Sequence, residues 1–124
     1  MTSFNVPVTN SNKRAGADLS AESNLYKALV NDSNGDLIIA GANAASVGFL
    51  ANSPKTGEAT EFYTLGGGAK GRAGGVIAAG DLLATDANGD LVVATTGQFA
   101  VARAENSAVV RDIFAIQPII AQLN

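Results

Sequence analysis

The apolar residues of this chain fall in short consecutive runs separated by polar turns, and nowhere at sustained helical spacing. "LYKALV" (Leu25–Val30) is followed by "DSNGD" and then by "LIIAG" (Leu37–Gly41). Further along, "GDLLATD" is followed by "ANGD" and then by "LVVAT" (Leu91–Thr95). Asn-Gly between two apolar runs is a strong short-range signal for a β-hairpin, with the glycine free to take positive φ and asparagine able to follow it in a type I′ turn. The sequence therefore predicts two hairpins. Runs apolar on successive positions imply strands covered on both faces, as in a sandwich or a closed barrel.

The two hairpins belong to a longer copy. Asp32, Asn34, Gly35, Asp36, Leu37, Ala40, Val47, Asn52 and Ser53 recur 54 positions later as Asp86, Asn88, Gly89, Asp90, Leu91, Ala94, Val101, Asn106 and Ser107. Each copy ends in another β-like run, "TEFYTLG" in the first and "VVRDIFAIQ" in the second. The expected architecture is all-β: a small barrel or sandwich over residues 19–124, built from similar halves near 26–65 and 80–118. Residues 1–18 are polar and short-sided apart from Phe4, Val6, Pro7 and Val8, and read as an extended N-terminal arm. "LSAESNLYKALV" allows either a helix capped by Ser20 or a strand running into the first turn, and the turn favours the strand.

Composition narrows the function. With 124 residues the chain is one domain. A net charge of −3, with eight scattered cations, gives no electrostatic footprint for nucleic acid. The longest uncharged run, Leu37–Pro54, carries too many polar residues to cross a bilayer as a helix, so no membrane role is expected. Cysteine and histidine are both absent, which removes disulfides, thiol nucleophiles, the usual zinc ligands and the usual proton carrier near neutral pH. No catalytic residue, metal site or cofactor is assigned.

Three motifs need weighing. Gly66, Gly68 and Gly71 spell G-x-G-x-x-G, but a dinucleotide site needs a helix to follow, and "RAGGVIAAGD" is too rich in glycine to supply one. Closely packed strands suit that stretch better. The acidic turns Asp32–Asp36 and Asp86–Asp90 could offer oxygens to a cation, yet they lack the central glycine position and distal glutamate of an EF-hand, and Asp and Asn favour tight turns in any case. Lys70 and Arg72, two apart, would share one face of a strand and offer a small cationic contact to an acidic partner.

From Ala17 to Pro118 the order of phrases resembles one family, the capsid decoration or cement proteins of tailed bacteriophages. The phrases are "ADLSAESNLYKALV", "NGDLIIAG", "VGFLANSPKTGEATEFYTLG", "GAKGRAGGVIAAGDLLATDANGDLVVA" and "FAVARAENSAVVRDIFAIQP". Ala102 departs from the pattern, standing where many relatives have glycine, although Gly48 keeps it in the first copy. The resemblance implies a compact β fold of barrel or tulip type, commonly trimeric, on the outer surface of the virion, without catalysis or cofactor. Its partner would be the major capsid protein, bound at junctions between coat subunits. In that setting Thr2, Ser3, Phe4, Asn5, Val6, Pro7 and Val8 are candidates for a strand laid on the coat protein, with Lys70 and Arg72 as further contacts. The uncharged tail "AIQPIIAQLN" offers Ile116, Ile119 and Ile120 for a contact between copies in a homotrimer, or for packing on their own core. The alternative from another class is a surface-displayed carbohydrate-binding module, for which aromatics at 6% and no tryptophan are a poor supply.

Overall fold

The computed structural model describes residues 9–64 and 67–122, and among them there is no α-helix. Ten strands form two five-stranded antiparallel sheets. The first half contains β1 (Thr9–Arg14), β2 (Ala28–Asn31), β3 (Leu37–Ile39), β4 (Gly48–Leu50) and β5 (Ala59–Tyr63), with a 3-10 turn at Glu22–Asn24. The second contains β6 (Ala69–Arg72), β7 (Leu82–Thr85), β8 (Leu91–Val93), β9 (Phe99–Ala104) and β10 (Ile113–Gln122). The strand orders are β1-β5-β4-β2-β3 and β6-β10-β9-β7-β8, which is one topology used twice. The halves expected from the sequence are therefore real. Neither sheet closes into a barrel, and the arrangement is sandwich-like.

The duplication reaches further toward the N-terminus than the hairpins indicate. Arg14-Ala15-Gly16 in the first half answers Arg72-Ala73-Gly74 in the second, at an offset of 58. Ala15 bridges Leu37 and Ala73 bridges Leu91, each in parallel. Gly16 and Gly74 donate their N–H groups to Leu37 and Leu91 at 2.8 and 2.7 Å. The offset becomes 54 beyond the stretch that holds the 3-10 turn in the first half, so this turn is where the copies differ in length. Within the arm expected over 1–18, Thr9–Arg14 instead pair with β5 and Ala15 is buried. Short polar side chains suit this strand because it lies at the edge of its sheet, where its outer side meets water.

Both hairpins form, with a turn other than the type I′ expected. Asp32 N–H donates to Asp36 O at 2.7 Å and Gly35 N–H to Asp32 O at 3.1 Å, and Gly35 has φ +79° while Asn34 does not enter positive φ. This is a three-residue loop ending in a left-handed glycine, and the second hairpin repeats it with Gly89. Aspartate selects it. The Asp32 carboxylate accepts from the N–H groups of Asn34 and Asp36 at 2.8 and 2.9 Å, and Asp86 does the same for Asn88 and Asp90.

The first half packs Ala15, Leu19, Leu29, Leu37, Leu50 and Phe62 on one another. The second half packs the counterparts Ala73, Ile77, Leu83, Leu91, Ala104 and Ile116, and this cluster continues across the junction to Ala28, Ala40 and Phe49 of the first half. Each fully buried Leu or Ile contributes about 1.5–3 kcal/mol relative to exposure.

Candidate docking surface

The junction between the halves uses much of the special chemistry of the chain. Thr85 Oγ1 accepts from Ala44 N–H at 2.9 Å and donates to Gly41 O at 2.7 Å, while its carbonyl accepts from Asn43 N–H. Asn43, at φ +49°, accepts from Phe99 N–H at 2.8 Å through its side chain. The Gly89 turn tucks against the first half, and its carbonyl accepts from Ala28 N–H at 2.9 Å. A side chain at position 89 would meet Ile39 Cγ2 at 2.6 Å. The matching Gly35 turn has nothing within 4 Å of that position.

Lys70 and Arg72 do share the outer face of β6, with Ala69 and Gly71 buried on the other side. Arg72, however, is drawn inward. Its Nε and a terminal nitrogen donate to the carbonyls of Leu25 and Glu22, both at 3.3 Å, so it clamps the 3-10 turn of the first half onto the second. Its counterpart Arg14 stays within its own half and pairs with Asp36 at 3.1 Å. Asp90, the counterpart of Asp36, is left with a buried Oδ1 that lacks a hydrogen-bond partner. Burial raises the Asp90 carboxyl above the ordinary carboxylate range; Lys27 opposes the rise, Asp86 adds to it, and Arg72 opposes it again. Lys70 remains exposed and sits 5.8 Å from the centre of the Tyr26 ring, which stacks on Tyr63 at 6.4 Å. Burial, then Tyr26 and Glu61, push the Tyr63 hydroxyl above its usual value.

Ile116 is fully buried in the core of the second half, so of its two expected roles it fills the internal one. Ile119 is half-buried and lines an apolar groove of about 290 Å³ between the halves, together with Val47, Phe49, Phe99, Val101 and Pro118. Thr2–Val8 and the side chain of Ile120 lie outside the described residues. So does Gly66 of the glycine motif. The rest of that motif runs into β6, where a side chain at Gly71 would meet Leu91 Cδ1 at 2.6 Å, so this glycine serves strand packing. Of the turn acids offered as cation ligands, Asp32 and Asp86 are engaged with backbone N–H groups and Asp36 with Arg14.

Sequence reasoning did not bring together a different set. Val76, Val109, Val110 and Ile113 are exposed, and Arg111 among them has φ +76°. The Ile77–Ala108 bridge and the Val109–Asp112 turn gather them at one end of the second half, next to the start of β10. The signal was available once the copies are aligned at offsets of 58 and 54, because the same positions in the first half are Asp18, Lys55, Thr56, Ala59 and Gly57. Asp18, the counterpart of Val76, has its carboxyl held below the usual range by the Ser20 hydroxyl and then the Ser20 N–H.

The molecule is thus a duplicated β-sandwich whose distinctive chemistry lies at the junction and on one outer end. No protein-family model matches the chain, and no curated protein matches it. Among solved structures it is similar to the crystal structure of the N base of head fiber gp8.5 in bacteriophage phi29, with a TM-score of 0.68 over 96% of this chain and 98% of that one. Identity is 18%, so the likeness is one of fold.

Proposed function

We propose that this chain is a structural protein of a tailed-phage head, held on the outer surface of the mature capsid where coat subunits meet. The observation that carries this reading is the fold shared with a head fiber base over nearly the whole of both chains. The order of motifs from Ala17 to Pro118 supports it independently, since it resembles capsid decoration proteins. In this reading the protein performs no reaction and takes no cofactor. It binds the assembled lattice and not the separated subunits, so by mass action it holds the shell against the outward push of packaged DNA.

Three copies sharing one footing would link weak contacts into a strong one. The N-terminal segment Thr2–Val8 continues from Thr9 of β1, an edge strand, and would add to a coat-protein sheet with Phe4 and Val6 on one side. Lys70 keeps its candidacy as an outward cation, whereas Arg72 acts within the molecule.

The test uses heads purified from a phage strain with this gene deleted. Such heads should lack surface protrusions and release DNA at lower temperature, and added protein should restore both properties. Deleted heads with unchanged appearance and heat resistance would reject the reading.

A further inference from the structure

The two halves serve as a control for each other. Leu19 N–H donates to Pro54 O and Ile77 N–H to Ala108 O, each at 2.9 Å, and Gly57 and Arg111 donate to Ala15 O and Ala73 O, each at 2.8 Å. The backbone at this end is therefore the same in both copies. On it the first half displays Asp18, Lys55, Thr56 and Ala59, and the second displays Val76, Val109, Val110 and Ile113, which are 76%, 56%, 54% and 47% exposed. Folding does not require aliphatic side chains here, since the first half does without them. Clustered branched aliphatics left in water mark a surface that meets something.

Arg111 supplies a second and independent observation. Three non-glycine residues among those described hold positive φ: Tyr26, Asn43 and Arg111. Tyr26 stacks on Tyr63 beneath Lys70, and Asn43 ties the halves together through Phe99, so both strained residues serve the junction. The Arg111 side chain is exposed and makes no hydrogen bond or ion pair among the described residues. Asp112, next in the chain, accepts from Val109 N–H at 3.0 Å and forms no ion pair with Arg111. The first half has glycine at this position, the residue that adopts such a φ without strain. The second half holds an arginine in a strained backbone and aims an unpaired guanidinium out of an apolar cluster.

We infer that Val76, Val109, Val110, Arg111 and Ile113 form a docking surface for the coat protein, at a place where that protein presents an apolar patch with a carboxylate in it. The coat protein as occupant rests on the capsid reading above; the chemistry of the patch does not. Charge complementarity selects the partner. A polyphosphate backbone is met by rows of cations, whereas here one guanidinium stands among aliphatics on a chain of net charge −3. Arginine is enriched at the energetic centre of protein interfaces, and the buried core of such a patch is more apolar than its rim.

The test transplants the first half onto the second. The variant carrying Val76→Asp, Val109→Lys, Val110→Thr, Arg111→Gly and Ile113→Ala puts on one copy what its twin already tolerates. Binding to heads from the deletion strain would be measured by co-sedimentation over a range of protein and salt concentrations. We expect the five-site variant to bind at least about tenfold more weakly, Arg111→Gly alone to bind several-fold more weakly, and the latter to show a shallower salt dependence. Should the five-site variant fail to fold, Arg111→Gly and Val110→Thr singly carry the test, since glycine relieves strain and threonine is nearly isosteric. Unchanged binding of folded variants overturns the surface while leaving the capsid reading intact. Failure of the unaltered protein to bind heads removes the capsid reading and the coat protein as occupant together. If sedimentation velocity shows the unaltered protein to be an oligomer that the variants break into monomers, the patch joins copies of this chain and the inference is wrong.

Discussion

Two arginines in equivalent places, Arg14 and Arg72, have been put to different uses. Arg14 pairs with Asp36 at the surface of its own half, with its side chain 66% exposed. Arg72 turns away from the equivalent Asp90 and reaches across to Leu25 and Glu22. The hairpin turns diverge in the same way, since Gly35 is open to solvent and Gly89 is wedged against the first half. In the second half, then, Arg72, Thr85 and the Gly89 turn face the junction, and one end is left apolar. Duplication provides the fold twice, and the second copy has been released to make contacts.

The comparison breaks most readily in the core. Phe49→Ala should cost about 3–5 kcal/mol, because Phe49 is fully buried in the cluster that spans both halves, while its counterpart Arg103 lies in solvent. Leu29→Ala and Leu83→Ala occupy equivalent, fully buried positions and should each cost about 2–5 kcal/mol. Urea unfolding would measure all three, and a large gap between the two leucine variants would deny that the halves are equivalent. Arg72→Ala should cost about 1.5–3 kcal/mol through its lost charge-assisted hydrogen bonds. Arg14→Ala should cost less than about 1 kcal/mol, as exposed ion pairs do.

The left-handed position gives opposite signs in the two copies. Gly57→Ala should destabilise by about 1–2 kcal/mol, and Arg111→Gly should be neutral or slightly stabilising in the same assay. The smallest effect concerns Asp90. Its folded carboxyl is raised, so it favours the folded state most below the ordinary carboxylate range, and that contribution is lost as pH rises through the elevated value. Asp90→Asn should therefore melt slightly above the unaltered protein at pH 7, with the difference vanishing below about pH 4. Asp36→Asn, which removes an ion pair, should melt slightly below it at pH 7.

The repeated Asn-Gly turns made the duplication and the all-β class legible, because the apolar runs behind them are long enough to align. The turn type was not, since asparagine before glycine points to type I′, and only the aspartate side chain on two N–H groups explains the form adopted. The strand Thr9–Arg14 was hidden for a related reason: an edge strand of polar residues carries no hydrophobic period. Lys70 and Arg72 were correctly placed on one face, yet which of them was free depended on carbonyls in a turn 47 and 50 residues away. The exposed apolar end was visible only in the difference between the copies: Val109–Ile113 stand against Lys55–Ala59 at the offset of 54 already legible in the sequence, and Val76 stands against Asp18 at the offset of 58 that the structure reveals.

The most direct test is a cryo-electron microscopy map of deletion-strain heads reconstituted with this protein. Density is expected outside the shell at junctions between coat subunits, with Val76, Val109–Arg111 and Ile113 of the second half against the coat protein. Bare heads, or a bound molecule that faces the shell with Asp18, Lys55 and Thr56 while its apolar end points to solvent, would contradict it.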